Sequence, residues 1–345
     1  MVIGVVAIVK DEAANIDRLL GSVDGVVDAA VFVDTGSSDD TMHMLRRAGC
    51  AVHERPWVDF GHNRSEAFAL ARGTADWLLA LDADMTVEID SDFEPDPAVD
   101  AYLVRMGDNP DFAYRLPLLL RGDLPWESRG VVHEYTCLPD REYIGVPTDK
   151  VRVTLHGNRS SPDRSRWHAS LLEADLAAHP DNARSVFYLA NTYWDLHDPR
   201  ALAMYECRTR MGGYDEEVFY SLYRYALSLP TWPARFLGLL RAWEYRPTRL
   251  EPLAAICREL NATSQHQTAY RFASVPIVPT TDNLFVHAGV WRYGMDFERS
   301  IAAWWTGRRD ESREIGESLL TREIPQHIRE QVERNLAFCK VTPPP

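Results

Sequence analysis

Two aspartates, Asp82 and Asp84, are the side chains of this sequence whose type and spacing are most suited to chemistry. They follow an apolar run, Trp77 to Leu81, which predicts a buried strand. If the strand pattern continues through the pair, both carboxylates point to one face, roughly 6–7 Å apart. Two hard oxygen ligands at the carboxyl end of a strand in an open α/β sheet suit Mg²⁺ or Mn²⁺ shared with a diphosphate. The alternative interpretation of such a D-x-D pair is a solvated turn.

The elements expected to position this pair are repeated strand–loop–helix units in the first 81 residues. Each strand pattern is a short apolar run, and each helix pattern ends at a glycine. This alternation predicts an α/β fold with a mostly parallel sheet. Because parallel strands end at the same edge, the loops after the first, second and fourth strands should meet there. The predicted strands are Val2–Val9, Ala29–Val33, Ala51–His53 and Trp77–Leu81.

The loops at that edge carry further polar groups. The first strand is followed by Lys10-Asp11-Glu12, and the second by the segment from Asp34 to Thr41. The second loop offers a carboxylate, the permissive Gly36 and hydroxyl groups suited to cap the next helix. From residue type alone, solvated strand ends and turn formers are the competing interpretation of these groups.

Taken in order, four segments of the chain resemble the GT-A fold glycosyltransferases of the family-2 type. The resemblance implies a Rossmann-like catalytic domain, a nucleotide-diphosphate sugar donor, a divalent metal (Mn²⁺ or Mg²⁺) and transfer with inversion at the anomeric carbon. The segments that carry it are Ile8 to Glu12, Val33 to Thr41, Asn63-Arg64 and Trp77 to Asp84.

By position in the motifs of that family, the resemblance implies a set of donor-binding residues. The first-strand residues would line the base and ribose, and Asp34 would accept a hydrogen bond from the nucleobase. Asp34-Thr35-Gly36 stands where many members have two consecutive aspartates, so uridine is the favoured base and other bases stay open. Arg64 would lie near the diphosphate. The residues expected to bind the nucleotide sugar are Val9, Lys10, Asp11, Asp34, Arg64, Asp82 and Trp126.

The resemblance also implies a metal site and a catalytic base. Asp84 would be the main metal ligand with Asp82 beside it, and His156, at the end of a predicted strand, falls where many members have a third ligand. Glu134 falls at the position of the catalytic carboxylate, with His133 positioning it or taking the role itself. Inversion by direct displacement needs such a base on the face opposite the leaving diphosphate, whose charge the metal neutralises.

Two of these residues have competing interpretations within the fold. A histidine at a strand end, such as His156, is often a hydrogen-bonded structural residue. Trp126 would stack on a sugar, but a loop tryptophan packed against the core fits the sequence equally well.

The composition changes after Gly157, which predicts a second domain. Residues 158–166 form a predicted polar linker, and helical periodicity follows it. The spacing around Val186 and Tyr193 resembles a tetratricopeptide helix, so we expect a GT-A catalytic domain over 1–160 and a TPR-like array of helical hairpins over 161–345, with a frayed tail at 341–345. The other predicted helices are Ala201–Met211, Glu216–Leu229, Pro233–Glu244, Glu251–Leu260, Phe297–Trp305 and Glu311–Leu320.

The composition of the second domain is relevant to the identity of the acceptor. Seven of the ten tryptophans lie after residue 160, where they either fill hairpin interiors or line an acceptor groove. Family-2-like enzymes with a helical-repeat extension include ones that glycosylate peptide side chains, so the resemblance implies a peptide or protein acceptor. Two alternatives are sugar transfer to hydroxymethylated bases of phage-type DNA and a non-catalytic peptide-binding scaffold. The net charge of −14 disfavours a nucleic acid acceptor.

Length and composition set the remaining expectations. At 345 residues the chain has room for two well-packed domains. Its five dispersed cysteines show no metal-binding spacing, which favours a reduced, cytoplasmic setting. No apolar run is long enough to span a bilayer, so we expect no membrane domain. The oligomeric state has no signal in the sequence.

Overall fold

The computed structural model describes residues 2–106, 114–157, 161–282 and 284–341. Up to Gly157, the described residues form ten strands and three helices, which alternate over the first half of this segment. The elements are β1 (Ile3–Val9), α1 (Ala13–Val23), β2 (Ala29–Asp34), α2 (Thr41–Arg47), β3 (Ala51–Glu54), α3 (Phe60–Ala71), β4 (Trp77–Ala80), β5 (Met85–Ile89), β6 (Ala101–Met106), β7 (Tyr114–Arg121), β8 (Glu127–Arg129), β9 (Tyr135–Cys137) and β10 (Gly145–Leu155).

Eight of these strands form one mixed sheet in the order β3-β2-β1-β4-β7-β6-β10-β5. The first four strands of that order run parallel, as does the pair β6–β10, whereas β7 and β5 run antiparallel to their neighbours. The predicted α/β fold with a mostly parallel sheet is therefore confirmed. The parallel run also places the loops after β1, β2 and β4 at one edge, as expected.

Strand β1 is buried on both faces, as its continuous apolar run predicts. Val5 and Val9 belong to a core on one side of the sheet that includes Leu19 of α1. Val6, on the opposite face of the strand, belongs to a second core that includes Phe68 of α3. The alternation of side chains along β1 thus fixes the sheet between two helical layers.

The strand before the two aspartates ends too early for its alternation of side chains to reach them. β4 stops at Ala80, and Asp82 to Met85 form a turn in which the amide of Met85 donates to the carbonyl of Asp82 at 3.0 Å. The expectation that strand alternation sets the directions of Asp82 and Asp84 is therefore wrong. The turn reverses the chain into β5, which pairs antiparallel with β10.

The chain after residue 160 is helical, as predicted. Within the described residues, successive helices from α7 onward contact one another in chain order, which is the pattern of helical hairpins, and a π-helical turn, Val290–Gly294, leads into α11. The helices are α4 (Pro162–Ala178), α5 (Ala183–Asp195), α6 (Arg200–Arg208), α7 (Asp215–Ser228), α8 (Trp232–Tyr245), α9 (Glu251–Ala262), α10 (His266–Ala273), α11 (Met295–Trp305), α12 (Arg309–Leu320) and α13 (Gln326–Val341).

The predicted linker at 158–166 is partly wrong. Residues 158–160 lie outside the described residues, but Pro162 already begins α4. The Ser161 hydroxyl accepts from the amide of Arg164 at 3.2 Å, and proline is favoured in a first turn because its missing N–H is not needed there. The polar composition of this segment therefore reflects a helix cap. The tail predicted to fray is outside the described residues from 342 onward.

The chain divides into two compact units after Met204, and α4 and α5 belong to the first. The domain boundary predicted at 160 coincides with the change from strands to helices, about forty residues before the division between the units. Among the helices that the structure describes, none combines the length and apolar character needed to cross a bilayer.

A glycine at the end of β7 makes a close approach that a side chain would block. A Cβ at Gly122 would lie 2.1 Å from the carbonyl oxygen of Ala75, whereas a Cβ at Gly21 in α1 would meet no atom within 4 Å. We expect Gly122→Ala to lower the free energy of unfolding by about 2–3 kcal/mol, because backbone must shift. Gly21→Ala should raise it by about 0.5–1 kcal/mol through helix propensity. Urea unfolding of both variants checks this, and equal stabilities would contradict it.

Candidate active site

The buried guanidinium of Arg64 joins two carboxylates that are distant in the sequence. Its Nε donates to Oε1 of Glu134 at 2.8 Å, and its Nη2 donates to Oδ1 of Asp82 at 2.8 Å. The side chains of Arg64 and Glu134 are only 12% and 15% exposed. The structure therefore brings together three of the predicted site residues at the carboxyl edge of the parallel strands.

The pKa of Arg64 shows that this group is a permanent cation. Burial alone would lower the pKa, but the charges of Asp82 and Glu134 and their hydrogen bonds outweigh it and raise the pKa above its ordinary value. Removing the guanidinium would leave two carboxylates facing each other without their shared partner, a change that costs several kcal/mol in a partly buried site.

The segment that carries Glu134 is hydrogen-bonded to helix α3. Strands β8 and β9 pair antiparallel and leave residues 130–134 as the connecting turn. The amide of Gly61 donates to the carbonyl of Gly130 at 3.1 Å, and the amide of Ser128 donates to the Ser65 hydroxyl at 2.8 Å. A Cβ at Gly61 would lie 2.7 Å from that same carbonyl oxygen, so only glycine permits the approach.

Hydrogen bonds fasten the loop after β1 to the loop after β2. Oδ1 of Asp11 accepts from the amide of Ser38 at 2.7 Å and from its hydroxyl at 3.0 Å, which lowers the pKa of that carboxyl group. Asp11 has a left-handed φ of 53°, and the carbonyl of Val9 accepts from the amide of Thr35 at 3.0 Å. Lys10 lies exposed between these two contacts. The predicted base and ribose residues therefore lie where two hydrogen-bonded loops meet.

Asp34, at the end of β2, holds a buried oxygen that is not hydrogen-bonded. The residue is 1% exposed, and its Oδ1 accepts from the amides of Gly36 and Ser37, both at 2.9 Å. Its Oδ2 has no hydrogen-bond partner among the residues that the structure describes. A buried carboxylate oxygen without a donor is costly, and a ligand N–H would satisfy it.

The other predicted metal residues lie next to the turn after β4. The amide of His156 donates to the carbonyl of Asp84 at 2.9 Å, and its ring Nε2 lies 2.7 Å from the Thr86 hydroxyl. A Cβ at Gly157 would lie 2.2 Å from Oδ2 of Asp84, so the carboxylate lies directly against this glycine. Across the described ranges, no three histidine, cysteine, aspartate or glutamate side chains are grouped to hold a metal ion. The metal site stays a prediction.

Glu12 is a neighbour of this site that the sequence analysis did not assign. Burial raises the pKa of its carboxyl group, and the charges of Asp84 and Asp82 raise it further. Its Oε2 accepts from the side chain of Asn15 at 2.6 Å. Its place directly after Asp11, at the end of β1, was the available signal in the sequence.

Trp126 is packed inside the fold. The side chain is 4% exposed and belongs to the core beneath α3. Its Nε1 donates to the carbonyl of Arg121 at 2.8 Å, and its ring packs edge-on against Tyr143. The structure thus shows a packed loop aromatic, and a sugar could stack on this ring only after rearrangement.

Side chains of α4 and α5 reach the turn that carries Glu134. The ring of His133 stacks on Tyr188 with centroids 4.4 Å apart, and His168 approaches it edge-on at 5.5 Å. Burial, together with the charge of Arg164, lowers the pKa of His168 to about 4, so this ring is neutral at pH 7. These contacts could not be predicted from the sequence pattern, which assigns both helices to the other domain.

Comparisons with known proteins agree with this architecture. No protein-family model matches the chain. It is 31% identical over 155 residues to an uncharacterized glycosyltransferase of Rickettsia prowazekii, a match that covers 43% of this chain and 49% of that protein. A TPR repeat-containing protein of Synechococcus elongatus is 44% identical over 78 residues, which are 22% of this chain and 19% of that protein. The chain thus spans about half the length, or less, of these relatives.

Among solved structures, the chain is similar to glucosyl-3-phosphoglycerate synthase from Mycobacterium tuberculosis, crystallised with Mn²⁺, uridine diphosphate and glucosyl-3-phosphoglycerate. The identity is 20%, the TM-score is 0.24, and the match covers 31% of this chain and 44% of that one. The curated relatives support the resemblance drawn from the sequence: a glycosyltransferase and a TPR repeat-containing protein each match part of this chain, which combines a mixed α/β sheet with a helical C-terminal region.

Proposed function

We propose that this protein is a metal-dependent, inverting glycosyltransferase. It would move a hexose from a nucleotide-diphosphate sugar, with UDP as the favoured carrier, to a hydroxyl or thiol group of a peptide or protein. The observation that carries the proposal is the ion-paired group of Arg64, Asp82 and Glu134 at the carboxyl edge of the parallel strands. Ligands of open α/β sheets bind at this edge.

The nucleobase is proposed to bind at Asp34. Its unpaired Oδ2 would accept an N–H of the base, while Oδ1 stays bonded to the backbone of the following turn. Uracil offers such a donor at its ring N3. The adjoining surface of Val9, Lys10 and Asp11 would then contact the base and ribose.

Asp82 and Asp84 are the residues proposed to hold Mn²⁺ or Mg²⁺. Their oxygens suit either ion, and a site with two protein carboxylates fits a metal that takes its remaining ligands from water and a diphosphate. His156 would join them only by giving up the hydrogen bond between its Nε2 and Thr86 or by using Nδ1. The bound metal ion would neutralise the charge that develops on the leaving diphosphate.

Glu134 is the proposed general base. Arg64 engages Oε1, so Oε2 would take the proton of the acceptor O–H or S–H. The acceptor atom would bond to the anomeric carbon from the face opposite the diphosphate, and the electrons of the breaking carbon–oxygen bond would leave with the diphosphate. His133, whose backbone directly precedes Glu134, would position the carboxylate or act in its place.

The acceptor is proposed to be a peptide or protein side chain. The supporting features are the helical hairpins of the C-terminal region, an architecture suited to extended polypeptides, and the net charge of −14, which opposes binding to nucleic acid. Incubation with a donor and a peptide library, read by mass spectrometry, is the direct test of this part.

A first test concerns metal-dependent donor binding. Saturating UDP-hexose with Mn²⁺ at about a hundred times its dissociation constant should stabilise the protein by ~2.7 kcal/mol, a rise in melting temperature of a few degrees. Asp84→Asn should remove the rise, whereas Asp92→Asn, an exposed residue paired with Lys150, should keep it. No rise with UDP, GDP or TDP sugars would contradict the proposed function.

A second test concerns the base. Asp34→Asn keeps an oxygen for the backbone amides but places an N–H₂ group where the base donates. We expect uridine diphosphate to bind about 10–100-fold more weakly, since a hydrogen bond to a charged group is lost. The exposed Asp24→Asn is the matched control, and titration calorimetry gives both affinities. Unchanged binding in Asp34→Asn would show that the base does not bind at this residue.

A third test concerns the general base. Glu134→Gln should lower the rate at which UDP-hexose releases UDP to water by about 10²–10⁴-fold, because the proton of the nucleophile has no acceptor. Its affinity for UDP should not fall, because the substitution removes a negative charge from the site. Glu127→Gln alters an exposed carboxylate in the same hairpin and should keep the rate. A Glu134→Gln variant as fast as the wild type would exclude this residue as the base.

A further inference from the structure

We propose that Arg184 and Tyr188 of helix α5 are positioning residues for Glu134. This inference rests on the proposed function, since it concerns the carboxylate assigned there as the base. The two side chains hold the residues on both sides of Glu134, and they come from a helix beyond the predicted catalytic domain.

The first contact fixes the backbone immediately before Glu134. Nη2 of Arg184 donates to the carbonyl oxygen of His133 at 2.6 Å. That carbonyl belongs to the peptide unit that joins His133 to Glu134. His133 has a left-handed φ of 52°, a conformation that non-glycine residues keep only where the surroundings enforce it. The hydrogen bond from Arg184 is such an enforcing contact.

The second set of contacts holds the side chains on either side of the base. The His133 ring stacks on Tyr188 with centroids 4.4 Å apart and planes 14° apart. The guanidinium of Arg184 lies 4.8 Å from the ring centre of Tyr135 and 4.7 Å from that of Tyr188. The guanidinium of Arg184 therefore lies against Tyr135, which follows Glu134, and donates to the carbonyl of His133, which precedes it.

These contacts complement those of Arg64. Arg64 in α3 bonds to the carboxylate of Glu134, and Arg184 in α5 bonds to the backbone that carries it. The turn has five residues, of which Val132 is buried, and contacts from other segments help to set its conformation. Helices α4 and α5 lie in the same compact unit as the sheet, which fits a role in the catalytic part of the molecule.

The first arm of the test measures the turn itself and needs no catalysis. In hydrogen exchange read by mass spectrometry, the peptide covering 127–137 should exchange at least tenfold faster in Arg184→Ala than in the wild type. The matched control is Arg200→Ala, which removes a similar cation from over Tyr193, together with its ion pairs to Glu173 and Asp198. It should leave that peptide unchanged. Equal exchange in Arg184→Ala and wild type would overturn the inference.

The second arm tests action through Glu134. Arg184→Ala should lower kcat for UDP release about 10–100-fold with the donor KM within twofold, and Arg184→Lys, which can still donate to the carbonyl, should recover part of it. In a Glu134→Gln background the same substitution should lower kcat less than twofold, because Arg184 acts on the carboxylate that this variant lacks. A 10–100-fold loss of kcat in the Glu134→Gln background would overturn the inference. A wild type that binds and cleaves no donor would instead contradict the proposed function, while the exchange arm still decides whether Arg184 holds the turn.

Discussion

The ion pairs of Arg64 are the interaction on which the rest of this site depends. A guanidinium that is only 12% exposed is tolerated when opposite charges pair with it, and here Asp82 and Glu134 supply them. Each partner lies on a different segment, so the pairing ties helix α3, the turn after β4 and the turn between β8 and β9 together. The arrangement of these segments around one cation makes a single polar site from residues up to seventy positions apart.

The surrounding backbone stores strain at the same edge. Asp11 and His133 both have left-handed φ values, and both are held by hydrogen bonds from other segments. Asp34 adds a buried carboxylate oxygen that no described group satisfies. Strained backbone and an unsatisfied buried acceptor each cost free energy in the folded state. Other non-glycine residues with left-handed φ values lie in the helical region, so the unsatisfied oxygen of Asp34 is the feature that best fits the proposed ligand site.

The parts of this structure that the sequence predicted are those set by local pattern. The aliphatic run of β1, the helix spacing and the glycines after helices are local signals, and they located the parallel strands and the edge where the polar loops meet. The turn after Asp82 was missed because the hydrophobic run does not show where a strand reverses. The start of α4 at Pro162 was missed because a cap and a linker share the same polar residues. The approach of Arg184 to His133 joins residues 51 positions apart, and no spacing rule could find it.

The charges at this edge explain why a divalent cation belongs to the proposed reaction. Arg64 supplies one buried positive charge, which its two partners already neutralise. A diphosphate placed here would therefore meet net repulsion, which is strongest where burial lowers the effective dielectric constant. Asp82 and Asp84 would hold a metal ion whose positive charge would offset that repulsion. Donor and metal should then each strengthen the binding of the other by the same factor, because coupling between two bound ligands is reciprocal. The carboxylates that would repel a diphosphate at this edge are those of Glu12, Asp34, Asp82, Asp84 and Glu134.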